Sequence, residues 1–252
     1  MIMRPGLCSV TFRELTPEEI VELAAAAELE AIEWGGDVHV PPGDVERAAH
    51  VAKATTDAGL AVCSYGSYFR ADAEEQLTPI LDSAQALGAD RVRVWAGRVD
   101  SADATPEQYA QITARLRDAA AEASERGIRL ALEYHRGTIA DTPDAVLRLL
   151  ADVPALSTYW QPSVGAEDTT ALAEFDAISA HTSAVHVFSW WPAGERLRLH
   201  ERETLWRRLC SAASALPTPP RDALLEFVPD DDPALLTAEA VTLRRWLAET
   251  AR

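Results

Sequence analysis

Residues 129 to 135 read RLALEYH, and the run changes character halfway along. Leu130, Leu132 and Tyr134 fall on one face of an extended chain. The other face carries Ala131, then Glu133, then His135. A carboxylate and an imidazole thus stand where a buried strand would continue with apolar groups. Three more apolar runs break in the same way. AVHVF carries His186 between Val185 and Val187, and ALLEFV carries Glu226 between Leu225 and Phe227. STYW runs into Gln161, which shares its face with Tyr159. If these four side chains converge in a partly dry cavity, the two carboxylates repel unless something neutralises them. A divalent cation does so most economically. Oxygen-rich ligation with one imidazole suits Mn²⁺ or Mg²⁺, and Zn²⁺ or Co²⁺ less specifically. His135, one pleat further out than Glu133, is placed to touch a substrate or carry a proton.

Four separate runs meet only if larger elements set them side by side. Thr16, Pro17 and Glu19 spell a capping box with proline in the first helical turn. Thr105, Pro106 and Gln108 repeat it, and Thr142 with Pro143 repeat part of it. Gly59, Gly88 and Gly127 each stand between a helical run and a strand, where a left-handed cap is expected. The strand-like runs are GLCSV, AIEW, LAVCSY, RVRVW, RLALEY, LSTYW, AVHVF and ALLEFV. Each is followed by a polar loop and a helical stretch, which makes eight βα units. Right-handed crossovers render all strands parallel, and eight units close into a barrel. The expectation is an α/β protein: one (β/α)8 TIM barrel over residues 1–252, with no second domain. A doubly wound open sheet is the alternative. It would show a glycine-rich phosphate loop after its first strand, and SVTFREL is not one. In a barrel, chemistry sits where the strands end, which is where the four runs carry their polar residues.

The order and spacing of these stretches resemble the xylose isomerase-like TIM barrels. That group contains sugar-phosphate isomerases and epimerases, ketose 3-epimerases, hydroxypyruvate isomerase, inosose dehydratases and endonuclease IV. The resemblance covers almost the whole chain, from GLCSVTF and ELEAIEWGGD through LGADRVRVWAG and LALEYH to AVHVF and LLEFVP. It implies four metal ligands on successive strands, a glutamate, an aspartate, a histidine and a glutamate. They map onto Glu133, Gln161, His186 and Glu226. It also implies that Glu133 and Glu226 act as acid and base. One position departs. Relatives often have WDxxH after the sixth strand, whereas this chain has WQPSV, with Gln161 for the aspartate and Val164 for the histidine. An amide oxygen still ligates a hard cation but brings no charge, so affinity should fall. Many members of the group are dimers or tetramers, which leaves a homo-oligomer open.

The resemblance and the residues together point to a metal-dependent isomerase or epimerase. Its substrate would be a sugar, sugar phosphate or cyclic polyol, and a carboxylate would move the proton. A dehydratase or lyase on a related polyol would use the same site. A non-catalytic sugar-binding barrel with a degenerate metal site is the reading that Gln161 and Val164 motivate. A phosphodiesterase of the endonuclease IV type needs further histidines, and the third and fourth strands end in SYGSY and VWAG without them. Glu33, His39, Trp95, His135, Trp160, Trp190 and Arg196 are the expected substrate contacts, the indoles as walls for sugar rings. The competing structural expectation is that Arg93 points inward and pairs with Glu33 or Glu133, with His39 a surface residue.

The totals narrow the partners. A net charge of -17 repels phosphate backbones and anionic lipid, so neither nucleic acid nor membrane is expected. With 48% hydrophobic residues in 252, the chain can bury one large core. Cys8, Cys63 and Cys210 are too widely spaced for a CxxC motif and read as small buried hydrophobes in a reducing compartment. No apolar run is long enough to cross a bilayer. The expected location is the cytoplasm.

Overall fold

In the computed structural model, which describes residues 3–218 and 220–250, the predicted caps start helices. Thr16 accepts from the Glu19 backbone while the Glu19 side chain accepts from Thr16, and helix α1 (Pro17–Ala26) follows. Asp44 caps α2 (Val45–Asp57) through Arg47 N. Helix α3 (Thr78–Leu87) ends on Gly88 at φ 72°, a left-handed conformation that costs glycine little and other residues more. Thr105 and Gln108 form the second capping box, at α4 (Pro106–Glu125). Thr142 caps α5 (Pro143–Asp152). Helices α6 (Asp168–Ile178), α7 (Glu203–Ser214) and α8 (Leu236–Glu249) complete the shell.

Between the helices run β1 (Arg4–Cys8), β2 (Ala31–Gly35), β3 (Ala61–Gly66), β4 (Arg91–Val94), β5 (Arg129–Glu133), β6 (Ser157–Trp160) and β7 (Thr182–Val187). After β7 come two short strands, β8 (Ser189–Trp190) and β9 (Arg196–Leu197), which pair antiparallel as a hairpin. The eighth barrel strand, β10 (Asp222–Leu225), then pairs parallel with both β7 and β1 and closes the ring. The fold is a single (β/α)8 barrel. The first strand differs from the expected run. It starts at Arg4 and stops at Cys8, because Ser9–Phe12 turns into a 3-10 helix and the Ser9 hydroxyl accepts from Gly35 N at 2.8 Å.

Alternation sorts the core into two layers. Leu130, Leu132, Trp34, Trp160, Trp206 and Trp246 pack between barrel and helices and are all but completely buried. Burying a side chain such as Leu130 or Leu132 contributes roughly 1.5–3 kcal/mol. Inside the barrel the room is smaller, and Cys8, Ala31, Cys63, Ala131 and Ala184 share it with Tyr159 and Leu224. The three cysteines are free and buried. Among the described residues no helix is long and apolar enough to cross a membrane.

The N-terminal end of the barrel is closed by charge. Asp222 Oδ1 accepts from Arg4 Nε at 2.8 Å, and Oδ2 accepts from Arg91 Nη2 at 2.6 Å and Arg221 Nε at 3.0 Å. Arg221 also donates to both oxygens of Asp90, at 2.7 and 2.9 Å.

Candidate active site

Strand β4 turns Val92 and Val94 toward the helices and sends Arg91 and Arg93 inward, all four buried. Arg93, nearer the C-terminal mouth, holds two glutamates at once. Its Nε donates to Glu33 Oε1 at 3.0 Å and its Nη1 to Glu133 Oε2. The Ser64 hydroxyl donates to the other oxygen of Glu33 at 2.7 Å. A Cβ on Gly66 would lie 2.8 Å from Arg93 Nη2 and 2.9 Å from Glu33 Oε1, so the absence of a side chain there makes room for the pair. Burial is the largest single influence on Glu33 and would raise its pKa, but Arg93, His186 and Ser64 together outweigh it and hold the carboxyl below the usual range. Burial likewise opposes the Arg93 charge, and Glu133 and Glu33 reverse the balance, which keeps the guanidinium protonated.

His186 is the centre of the remaining groups. Its Nδ1 donates to Gln161 Oε1 at 2.9 Å and lies 3.4 Å from Glu226 Oε2 and 4.0 Å from Glu133 Oε1. Its Nε2 is buried without a hydrogen-bond partner, 3.6 Å from Glu33 Oε1. Tyr159 meets the ring edge-on at 5.2 Å. Burial pulls the imidazole pKa down, yet Glu226, Glu33 and Glu133 together raise it above the ordinary value. Glu226 stands apart from the arginines. Burial pushes its carboxyl up to about 7, against the pull of His186 and with the help of Glu133.

A divalent cation fits the donor set on the Nδ1 side. Glu133, Gln161 and Glu226 each present an oxygen within 4.0 Å of that nitrogen. Glu133, His186 and Glu226 do not all lie within 4.8 Å of one another, so the two carboxylates have to close in on a shared cation, whose neighbouring ligands are about 3 Å apart. The two carboxylates, one amide and one imidazole suit a hard to borderline ion. On the other side of the ring, donor atoms of Cys8, Glu33 and His186 do lie within 4.8 Å of one another. That trio is the poorer site. Glu33 is already held by Arg93 and Ser64, and burial raises the Cys8 pKa well above its usual value, so the thiol stays protonated.

Above these groups opens a cavity of about 240 Å³. Glu133, Gln161 and Glu226 line its floor with Arg93, while Trp95, His135 and Trp190 stand in its walls. His135 stacks against Trp95 at 4.5 Å, and Trp95 against Tyr68 at 6.2 Å. Val164 faces the cavity from the loop after β6. The other expected contacts lie elsewhere. Glu33 sits below the floor, bound to Arg93. His39 is neither on the surface nor in the cavity. It is 1% exposed, with Nδ1 2.9 Å from the Ser9 hydroxyl and its ring against Trp34. Trp160 is the outward neighbour of Tyr159 on β6, so it packs on Phe175 and Trp206 in the helical shell. Arg196 lines a second, adjacent cavity and pairs with Asp231.

The structure adds Arg13, Tyr68, Arg136 and Phe227 to the cavity wall. They lie just past the ends of β1, β3, β5 and β10. Their position in the βα loops was the available signal, since loops at that end of a barrel carry its sites. Neither side-chain alternation nor composition marks them.

A family model described as xylose isomerase-like TIM barrel matches residues 21–205. No curated protein matches the chain in sequence. Among solved structures, the probable 3-DHS dehydratase AsbF of Bacillus anthracis, involved in petrobactin synthesis, is similar with a TM-score of 0.80. It is 18% identical, over 96% of this chain and 99% of that one. A D-tagatose 3-epimerase-like protein is 15% identical with a TM-score of 0.76, over 99% and 98% of the two chains. A xylose isomerase-like TIM barrel protein from Mycobacterium smegmatis, in complex with magnesium, is 13% identical with a TM-score of 0.73, over 99% and 98%. At these identities the likeness speaks for the fold. The chain belongs to the xylose isomerase-like TIM barrel family.

Proposed function

We propose that this protein is a divalent-metal-dependent isomerase or epimerase acting on a sugar or cyclic polyol. The observation that carries the reading is the convergence of Glu133, Gln161 and Glu226 on His186 Nδ1, within 4.0 Å, at the floor of an aromatic-walled cavity. A cation held by Glu133, Gln161, His186 and Glu226, Mn²⁺ or Mg²⁺ by donor type, would polarise a carbonyl and its neighbouring hydroxyl. The magnesium complex of the Mycobacterium smegmatis relative supports the hard-cation choice.

The chain's own groups divide the remaining work. Arg93 occupies Glu133 Oε2, so Oε1 is the oxygen that Glu133 offers to the cavity. Glu226 makes no ion pair with an arginine among the described residues, which leaves its carboxylate free to take a proton from carbon and hand one back. Glu33 faces His186 Nε2 and orients the ring from behind, as carboxylates behind metal-bound imidazoles do. Trp95 and Trp190 line the cavity, and aromatic carbon there is suited to pack against the C–H side of a sugar ring.

A second reading, dehydration of a related polyol, starts from the same proton abstraction. The likeness to the Bacillus anthracis probable dehydratase supports keeping it. One experiment serves both. Metal-stripped protein is titrated with Mn²⁺, then the loaded protein is incubated with candidate keto sugars in D₂O. Exchange of a carbon-bound hydrogen, seen by NMR, is expected for either reaction, and the product separates them. A protein that binds no divalent ion and exchanges no hydrogen is a non-catalytic barrel, and the proposal fails.

A further inference from the structure

Beside the catalytic cavity lies a larger one of about 440 Å³. The two share Val10, Arg13 and Phe227. By itself the first cavity, at about 240 Å³, falls below the roughly 300–1,000 Å³ typical of small-molecule sites. Phe227 is the partition between them, and its backbone is strained. It lies at φ 54°, where a bulky residue is an outlier. Five non-glycine residues among those described have positive φ, and three of them, Phe227, Asp230 and Asp231, fall in this one stretch. Such strain persists only where surrounding contacts enforce it, and it gathers at ligand clamps. Here the Phe227 N–H donates to the Thr11 hydroxyl at 3.2 Å. The Arg196 guanidinium lies over the Phe227 ring at 5.1 Å and pairs with Asp231.

The lining of the second cavity selects its occupant. Arg196 pairs with Asp231 and Arg13 with Asp37, while Glu14 adds a further carboxylate to the lining. That balance gives an anionic group no net attraction. A bare hydrocarbon arm would strip water from four charged groups and return no hydrogen bonds. A neutral, polyhydroxylated ring meets both demands. Its hydroxyls pair with guanidinium and carboxylate, and its C–H face packs on the apolar lining from Val10, Leu15 and Pro233.

We propose that the second cavity is a subsite for a second sugar ring, and that the substrate is a glycoside or disaccharide whose reacting ring occupies the first cavity. This rests on the sugar reading of the catalytic site. Phe227 would separate the two rings, and Arg13, at the junction, would reach both.

The test is calorimetric titration of the full-length, Mn²⁺-loaded protein. The probes are D-glucose, D-fructose and D-xylose, set against maltose, cellobiose, sucrose and xylobiose. At least one disaccharide is expected to bind tenfold or more tightly than its component monosaccharides. Leu15→Trp narrows the second cavity from within and is expected to erase that gain. Glu14→Trp narrows it from an exposed position, where folding is not at stake, and is expected to do the same. The proposal is overturned if no disaccharide outbinds its monosaccharides, or if the gain survives both variants. Mn²⁺ titration reads the first site separately. A protein that takes up Mn²⁺ and a monosaccharide without any disaccharide gain keeps the catalytic reading and loses this one. A protein with the gain but no metal does the reverse.

Discussion

Arg91 and Arg93 are two residues apart on β4, and both point into the barrel, yet they serve opposite ends of it. At the N-terminal end, Asp222 is enclosed by Arg4, Arg91 and Arg221, and both of its oxygens are occupied. At the C-terminal end, one arginine faces three carboxylates, Glu33, Glu133 and Glu226. Arg93 pairs with the first two, and among the described residues the ion-pair partner of Glu226 is His186. The lower cluster leaves no oxygen of Asp222 unpaired. The upper one keeps an anionic surplus beside an open cavity, which is a demand for a cation or a proton. The same residue types at the same spacing thus build a plug in one place and a reactive floor in the other. The difference is the ratio of arginine to carboxylate.

The largest expected effect of that ratio is on stability. Removing Arg93 strands two buried carboxylates, and breaking such a pair costs roughly 3–5 kcal/mol. Arg93→Met should therefore lose about that much in urea denaturation of the metal-free protein. Arg91→Met should lose clearly less, because Arg4 and Arg221 still hold Asp222. Equal losses from the two variants would erase the distinction between plug and floor.

Metal binding sharpens it next. Glu133→Gln and Glu226→Gln each take a charge from the proposed ligand set. Losing an outer-shell partner already costs about 10–100-fold in affinity, so these variants should lose about 100-fold or more for Mn²⁺. Arg91→Met should titrate like the wild type. A smaller gain is expected from Gln161→Asp, which restores a charge beside the ion. Mn²⁺ should bind about tenfold more tightly, or ~1.4 kcal/mol, within the range for one unit charge a few ångströms away. If calorimetry shows no gain while the glutamate variants lose affinity, Gln161 serves only to orient His186.

The smallest effect belongs to the rim of the plug. Asp90 is half-exposed. Burial raises its pKa, but the bonds from Arg221 outweigh this and leave it lowered. A carboxyl with a depressed folded pKa contributes stability above its unfolded value near 3.9 and loses it as pH falls through the folded one. Asp90→Asn should therefore cost under about 1 kcal/mol at neutral pH, as exposed pairs do. Its melting curve should converge on that of the wild type in acid. A deficit that persists at low pH would mean the loss is one of packing rather than charge.

Much of this architecture is legible in the chain itself. The capping boxes at Thr16 and Thr105 and the left-handed turn at Gly88 are local events, decided by hydrogen bonds within a few residues. Period-two alternation is equally local, and it assigns Arg93, Glu133, His186 and Glu226 to the barrel interior without knowledge of any neighbour. Eight repeats of strand and helix then leave few ways to close. What alternation cannot convey is which inward residues meet at one height. Glu33 and His186 come from strands three places apart around the ring, β2 and β7, and only closure through β1 and β10 puts Nε2 within 3.6 Å of the carboxylate. His39 and Trp160 sit close in sequence to strand ends, yet one folds back on Ser9 and the other faces the shell. The loops hold Arg13, Tyr68, Arg136 and Phe227 by long-range contacts that no local pattern encodes. Phe227 is the extreme case: its left-handed backbone is unfavourable on local grounds and exists because Thr11, Trp190 and Arg196 close around it.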